Sequence, residues 1–79
     1  MDKKKLHHKI AKILVEKFKI KKNEINLNTD VTKFKNWDSL KHLSFIICLE
    51  NEFKVKFLSN ENFNCKKINK FLNIISNRL

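Results

Sequence analysis

Apolar residues at Leu6, Ile10, Ile13, Leu14 and Phe18 recur at the i, i+4, i+7, i+8 spacing of a helix with one buried face. The lysines between them fall mostly on the opposite face, and Asp2 stands where an N-cap belongs. The spacing predicts a first helix over residues 3–19, with Asn23 making the left-handed turn that glycine usually makes. Residues 20–37 then lose the helical period and hold four asparagines and two threonines. Isolated apolar residues there, Ile25, Leu27, Val31 and Phe34, read as pegs holding a long loop against a core. Loops of that length are uncommon in small domains and often serve a function.

The helical pattern resumes at Asp38. Leu40, Leu43, Ile46, Ile47 and Phe53 form a stripe whose flanks are filled by Phe45, Cys48 and Leu49. A helix apolar around so much of its girth is touched from several sides, so this one is central. Val55 and Phe57 alternate with lysines but have no partner strand, so residues 54–58 read as an extended connector. Ser59 is placed to cap a short helical turn over Asn60–Phe63, and Asn64 to cap a last helix carrying Ile68, Phe71, Leu72 and Ile75. The expected fold class is all-α: a four-helix bundle of three longer helices and one short one, in a single domain spanning residues 1–79.

Composition narrows what such a bundle can do. A chain of 79 residues buries only roughly 60% of its unfolded surface, too little for a composite two-domain active site. Without a single glycine, glycine-rich phosphate loops are excluded. No apolar run is long enough to span a membrane, and the N-terminal stretch lacks the apolar core of a signal peptide. A soluble, cytoplasmic protein is expected. Cys48 and Cys65 stand apart without a C-x-x-C pattern and read as reduced, space-filling thiols. The adjacent His7 and His8 point to different faces of a helix, so no metal site is expected. The net charge of +10 is unevenly placed: residues 2–22 carry +7, residues 54–79 carry +5, and residues 38–53 carry −2.

The chemically informative stretch lies in that acidic middle: Asn36-Trp37-Asp38-Ser39-Leu40, the apolar helix, then Glu50-Asn51-Glu52-Phe53-Lys54-Val55-Lys56-Phe57. With Asp38 as N-cap, Ser39 sits in the first helical turn with its hydroxyl exposed, beside free backbone N–H groups and the positive end of the helix dipole. A phosphate attached there would meet the same N–H groups that bind anions at helix starts. Taken alone, Asp-Ser before an apolar run is also how many ordinary helices begin.

Order and spacing over nearly the whole chain resemble the acyl carrier protein family. That family has a first amphipathic helix, a long loop, Asp-Ser-Leu at the start of its second helix, a Glu-x-x-Phe-like helix end, an extended step, a short third helix and a fourth. Asp38-Ser39-Leu40, Glu52-Phe53, Val55 and Phe57 stand at those positions here, and Trp37 before the motif is common in small stand-alone carriers. The resemblance implies a four-helix acyl-carrier-type bundle with 4′-phosphopantetheine attached covalently to Ser39, transferred from coenzyme A by a phosphopantetheinyl transferase. The arm's thiol would hold an acyl or aminoacyl group as a thioester for activating ligases and for acyl-transferring or condensing enzymes. The carrier itself would catalyse nothing, and nothing in the sequence demands more than a monomer.

By the same resemblance, Asp38 helps the transferase recognise the site, and Leu40 packs near the arm and contacts partners. Ile47 falls at an exposed apolar partner contact, though its place on the stripe equally suits a core residue. Glu50 falls on the partner-facing side, though it also reads as a solvated charge. Phe45, Ile46, Leu49, Phe63, Ile68 and Leu72 could line a space for an acyl chain, or simply fill a close-packed core.

The chain departs from the family in charge. Family members are mostly acidic, whereas Lys41, His42 and Ser44 stand here where acids are frequent. Complementary charge sets encounter rate and selectivity, so a dedicated biosynthetic pathway is expected rather than housekeeping fatty-acid synthesis. Lys54 stands where glycine is frequent and must make its turn without glycine's freedom. The abundance of Lys, Asn, Ile and Phe also looks like a genome-wide bias, which weakens charge as a functional signal. The alternative class is a small basic helical nucleic-acid-binding domain, but its cations are nearly all lysine, and arginine dominates base readout. A membrane-surface role for the first helix would need the apolar face that the bundle uses. No catalytic pair stands at an arguable spacing, and His42 reads as a helix-surface residue.

Overall fold

In the computed structural model, which describes residues 3–58 and 64–79, helix α1 covers Lys3–Phe18. It buries Leu6, Ile10, Ile13 and Leu14, the face its periodicity specifies, while Phe18 packs half-buried at the edge of the core. The helix ends because Lys19 turns left-handed at φ 60°, which lets the Ile20 N–H reach back to the Leu14 carbonyl at 3.1 Å. Lys19 therefore makes the turn expected of Asn23, which lies instead in a 3-10 turn over Lys22–Glu24. The N-cap expected at Asp2 lies outside the described residues.

The long loop is built rather than slack. After the first 3-10 turn, Thr29 Oγ1 accepts from the Asn26 N–H at 2.8 Å and donates to the Glu24 carbonyl at 3.1 Å. A second 3-10 turn covers Val31–Lys33. Ile25 and Val31 are buried as pegs and Phe34 packs half-buried, but Leu27 is exposed.

Helix α2 covers Ser39–Phe53 and buries His42, Phe45, Ile46, Leu49 and Phe53. That set follows i, i+3, i+4, i+7, i+11, and it corrects the expected stripe. Leu40, Leu43 and Ile47 lie on the exposed side. Two apolar registers compete on this helix, and the one carrying Phe45 and Leu49 wins because it faces both other helices. At the C-terminal end Lys54 takes φ 58°, ψ 40°, the left-handed turn forced on a non-glycine residue. The connector 55–58 is extended, with Val55 and Phe57 buried. The Phe57 N–H donates to Glu50 Oε2 at 2.8 Å, and Arg78 Nη1 donates to the Lys56 carbonyl at 3.0 Å.

Helix α3 covers Ile68–Arg78 and buries Ile68, Phe71, Leu72 and Ile75. Its N-cap is Lys67, without a side-chain bond, not Asn64. The loop takes over that capping. Carbonyls of Thr29 and Leu27 accept from the N–H groups of Ile68 (3.0 Å) and Asn69 (2.9 Å), while the Val31 N–H donates to the Lys66 carbonyl at 2.9 Å. Each side satisfies backbone groups the other would leave orphaned.

The core lies between the three helices, with the Phe45 and Phe71 rings edge-on at 5.1 Å and α1 packed against both α2 and α3. Among the described residues the structure is thus all-α, with three α-helices and no strand beyond the isolated Asp30–Lys67 bridge. The short helical turn expected over residues 59–63 lies outside the described residues. Cys48, half-buried, and Cys65, buried, are not joined in a disulfide. No described helix is long and apolar enough to cross a membrane.

Two substitutions test this packing. Lys54→Gly removes the left-handed penalty and raises stability by about 1 kcal/mol, read as a higher urea midpoint at unchanged slope. Phe45→Ala leaves a cavity between α2 and α3 and lowers stability by about 3–5 kcal/mol in the same titration.

Candidate functional site

The site forms where the loop hands over to α2. Asn36 turns left-handed at φ 65°, and Trp37 and Asp38 follow in extended backbone before the first helical residue, Ser39. Asp38 is the N-cap expected of it. Its Oδ1 accepts from the Lys41 N–H at 2.8 Å, and its carbonyl accepts from the His42 N–H at 3.0 Å. These two bonds fix the register at which α2 begins. They leave the Ser39 and Leu40 N–H groups without an acceptor among the described residues, directed to the open end of the helix. Ser39 and Leu40 are exposed, Leu40 at 72%.

Ser39 opens onto a shallow groove of about 260 Å³ lined by Thr32, Trp37, Asp38, Ser39 and His42. Thr32 reaches it from the second 3-10 turn, held by Asp30, whose Oδ1 accepts from both the Thr32 N–H and its hydroxyl. The Thr32 hydroxyl bond, together with its N–H and the nearby Lys33 and Lys66 charges, holds the Asp30 carboxyl below its ordinary value against an opposing desolvation effect.

His42 corrects its expected surface placement. It is 3% exposed, and its Nδ1 accepts from the Trp37 indole Nε1–H at 3.3 Å. The indole is surrounded by the rings of Phe18, Phe34, Phe45 and His42, at centroid distances of 5.3–6.2 Å. The signal was present in the sequence: His42 stands three residues before Phe45 in the buried register of α2, and a tryptophan N–H in an apolar setting needs an acceptor.

Asp38, Ser39 and Leu40 come together at the helix start. Ile47 is 47% exposed and shares the outward strip of Leu40 and Leu43. Glu50 stands at the far end of α2 and is half-buried, so it corrects the reading as a solvated charge: its carboxylate holds the connector through the Phe57 N–H. Of the residues that could line an acyl space, Phe45, Ile46, Leu49, Ile68 and Leu72 are each no more than 1% exposed and pack as core. Phe63 lies outside the described residues.

No family model matches the chain, and no curated protein matches it in sequence.

Asp38→Ala removes the cap and costs about 1 kcal/mol, measured by thermal or urea unfolding, while Asp38→Asn retains most of that stability. For Asp30, whose folded value is depressed, the stabilisation is present above the unfolded carboxylate range and lost as pH falls through the lower folded value. Thr32→Val therefore moves acid loosening of the loop to higher pH, read from Trp37 fluorescence.

Proposed function

We propose that this chain is a stand-alone carrier protein of the acyl carrier type, with 4′-phosphopantetheine attached to Ser39 Oγ. The observation that carries this reading is the placement of Ser39: an exposed residue at N1 of α2, in a groove, beside two N–H groups without an acceptor among the described residues. Nothing else along the Asp-Ser-Leu stretch requires the hydroxyl, since Asp38 alone makes the cap.

The residues present fit the group. A phosphodiester on Ser39 would lie at the positive end of α2, where the Ser39 and Leu40 N–H groups can donate to its oxygens. Attachment joins Ser39 Oγ to the phosphorus that carries the pantetheine of coenzyme A. The pyrophosphate bond breaks, adenosine 3′,5′-bisphosphate leaves, and the hydroxyl proton passes to the transferase. When bound, the arm supplies a thiol that holds an acyl or aminoacyl group as a thioester. The chain's own part is positional: it fixes the attachment point and raises the effective concentration of cargo for successive enzymes. On this reading the protein is not itself an enzyme, its bundle is of the four-helix acyl-carrier type, and the setting is cytoplasmic.

The partners are a phosphopantetheinyl transferase, a ligase that activates the acyl or aminoacyl group, and acyl-transferring or condensing enzymes. Leu40, Leu43 and Ile47 form the apolar strip beside Ser39 that such partners would meet, with Asp38 at its start and Glu50 at its far end. The net charge of +10, with Lys41, His42 and Ser44 where family members often carry acids, suits a dedicated pathway.

Incubation with coenzyme A, Mg²⁺ and a broad-specificity phosphopantetheinyl transferase is expected to add one phosphopantetheinyl mass to the wild type and none to Ser39→Ala. Absence of the increment on folded protein, together with salt-sensitive duplex DNA binding that is indifferent to Ser39→Ala, would favour a basic helical nucleic-acid-binding domain instead.

A further inference from the structure

We propose that the hydrogen bond from the Trp37 indole Nε1–H to His42 Nδ1 is a latch that sets the Ser39 hydroxyl for attachment of the arm, with His42 as its positioning residue. This rests on the carrier reading of Ser39. The bond spans residues 37 to 42 at 3.3 Å, and Asp38 and Ser39 lie inside the loop it closes. Both partners line the groove onto which Ser39 opens.

Two features make this bond more than ordinary packing. First, it joins the end of the loop to the start of α2 by a hydrogen bond, beside the ring contacts that Trp37 makes with Phe45 and His42. Trp37 belongs to the end of the long loop, where Asn36 has just turned left-handed, and His42 belongs to the first turns of α2. The His42 ring also meets Phe71 of α3 at a tilt, with centroids 6.2 Å apart, so the latch links α3 to the Ser39 segment. Second, His42 occupies a 3% exposed core position against Phe71 where leucine would pack without a polar group to satisfy. A buried polar atom is costly without a partner, and the Trp37 N–H is the partner that Nδ1 has in this arrangement.

For Nδ1 to accept, the imidazole proton must sit on Nε2, so the latch also selects the ring's tautomer. The remaining members of the groove are Thr32, whose hydroxyl is committed to Asp30, and Asp38, whose carboxylate is committed to the Lys41 N–H. The structure pairs the indole N–H with His42 and with neither of these. With the latch broken, Trp37 keeps its ring contacts but loses its orientation, and the backbone entering Asp38, the one residue between Trp37 and the helix, gains freedom. Attachment needs the Ser39 hydroxyl in line with a phosphorus atom held by another protein, and small misplacements there are expensive in rate.

Three variants separate direction from packing. Trp37→Phe keeps a ring and removes the donor. His42→Leu keeps the volume and removes the acceptor. His42→Asn sets an amide oxygen close to where Nδ1 stands. Two measurements are made on each: amide hydrogen exchange of residues 37–42 against the core of α3, and kcat/KM for phosphopantetheinyl transfer from coenzyme A.

The expected result is faster exchange confined to residues 37–42 in Trp37→Phe and His42→Leu, with a fall in kcat/KM of about tenfold, the equivalent of about 1.4 kcal/mol. His42→Asn is expected to restore most of both, and the Trp37→Phe/His42→Leu double variant to be no worse than either single. Unchanged local exchange in both single variants, or exchange raised equally in α3, overturns the latch. So does a wild-type transfer rate in His42→Leu. Failure of the wild type itself to accept the arm overturns the carrier reading, and with it the latch's role in attachment; the exchange data then decide only whether the bond orders the segment.

Discussion

Where α2 begins determines what the rest of this molecule can do. The helix could start a residue earlier or later on propensity alone, because Asn36, Asp38 and Ser39 are all residues that favour helix starts. The Asp38 carboxylate on the Lys41 N–H settles the register, and the fixed register decides everything along the helix. It turns His42, Phe45, Ile46, Leu49 and Phe53 inward. It leaves Leu40, Leu43 and Ile47 outside and presents Ser39 at the open end. A shift by one residue would rotate the helix by about 100°, burying a different set and moving the serine off the groove.

The second constraint is the absence of glycine. Left-handed turns are needed at the end of α1, before α2 and after α2, and the chain makes them with Lys19, Asn36 and Lys54. Each lysine in that conformation costs about 1–2 kcal/mol relative to a freer residue. The compensation is in backbone satisfaction. The loop between α1 and α2 donates to and accepts from the approach to α3, so a segment without helical period is nevertheless pinned at Leu27, Thr29 and Val31. Arg78 and Glu50 do the same for the connector after α2, each through a main-chain group.

Much of the architecture was legible in the sequence. Leu6, Ile10, Ile13 and Leu14 announced α1, Ile68, Phe71, Leu72 and Ile75 announced α3, and Asp38 announced its own capping role. Less legible was anything decided by a partner distant in sequence. The rotation of α2 was read one strip too far toward Leu43 and Ile47, because a helix with apolar residues on most of its girth does not say which side is innermost. Asn64 looked like a cap, but the carbonyls of Leu27 and Thr29 do that work from forty residues away, a relationship no local pattern contains. His42 and Glu50 looked like surface residues because polar type was taken for exposure. Each has a well-placed hydrogen-bond partner turned toward the protein. At the site itself, Trp37, Asp38, Ser39 and Leu40 stood out in the sequence, whereas His42 and Thr32, which complete the groove, did not.

The carrier reading asks for an acceptor hydroxyl on a rigid helix start and a surface that partners can approach, and the Ser39 end of α2 supplies both. Its most direct test is the intact mass of the protein isolated from its natural source, with fragmentation to locate any added group. The account predicts a species heavier by one phosphopantetheinyl arm, located on Ser39. A population wholly unmodified at Ser39, in protein made alongside its own cellular enzymes, would contradict it.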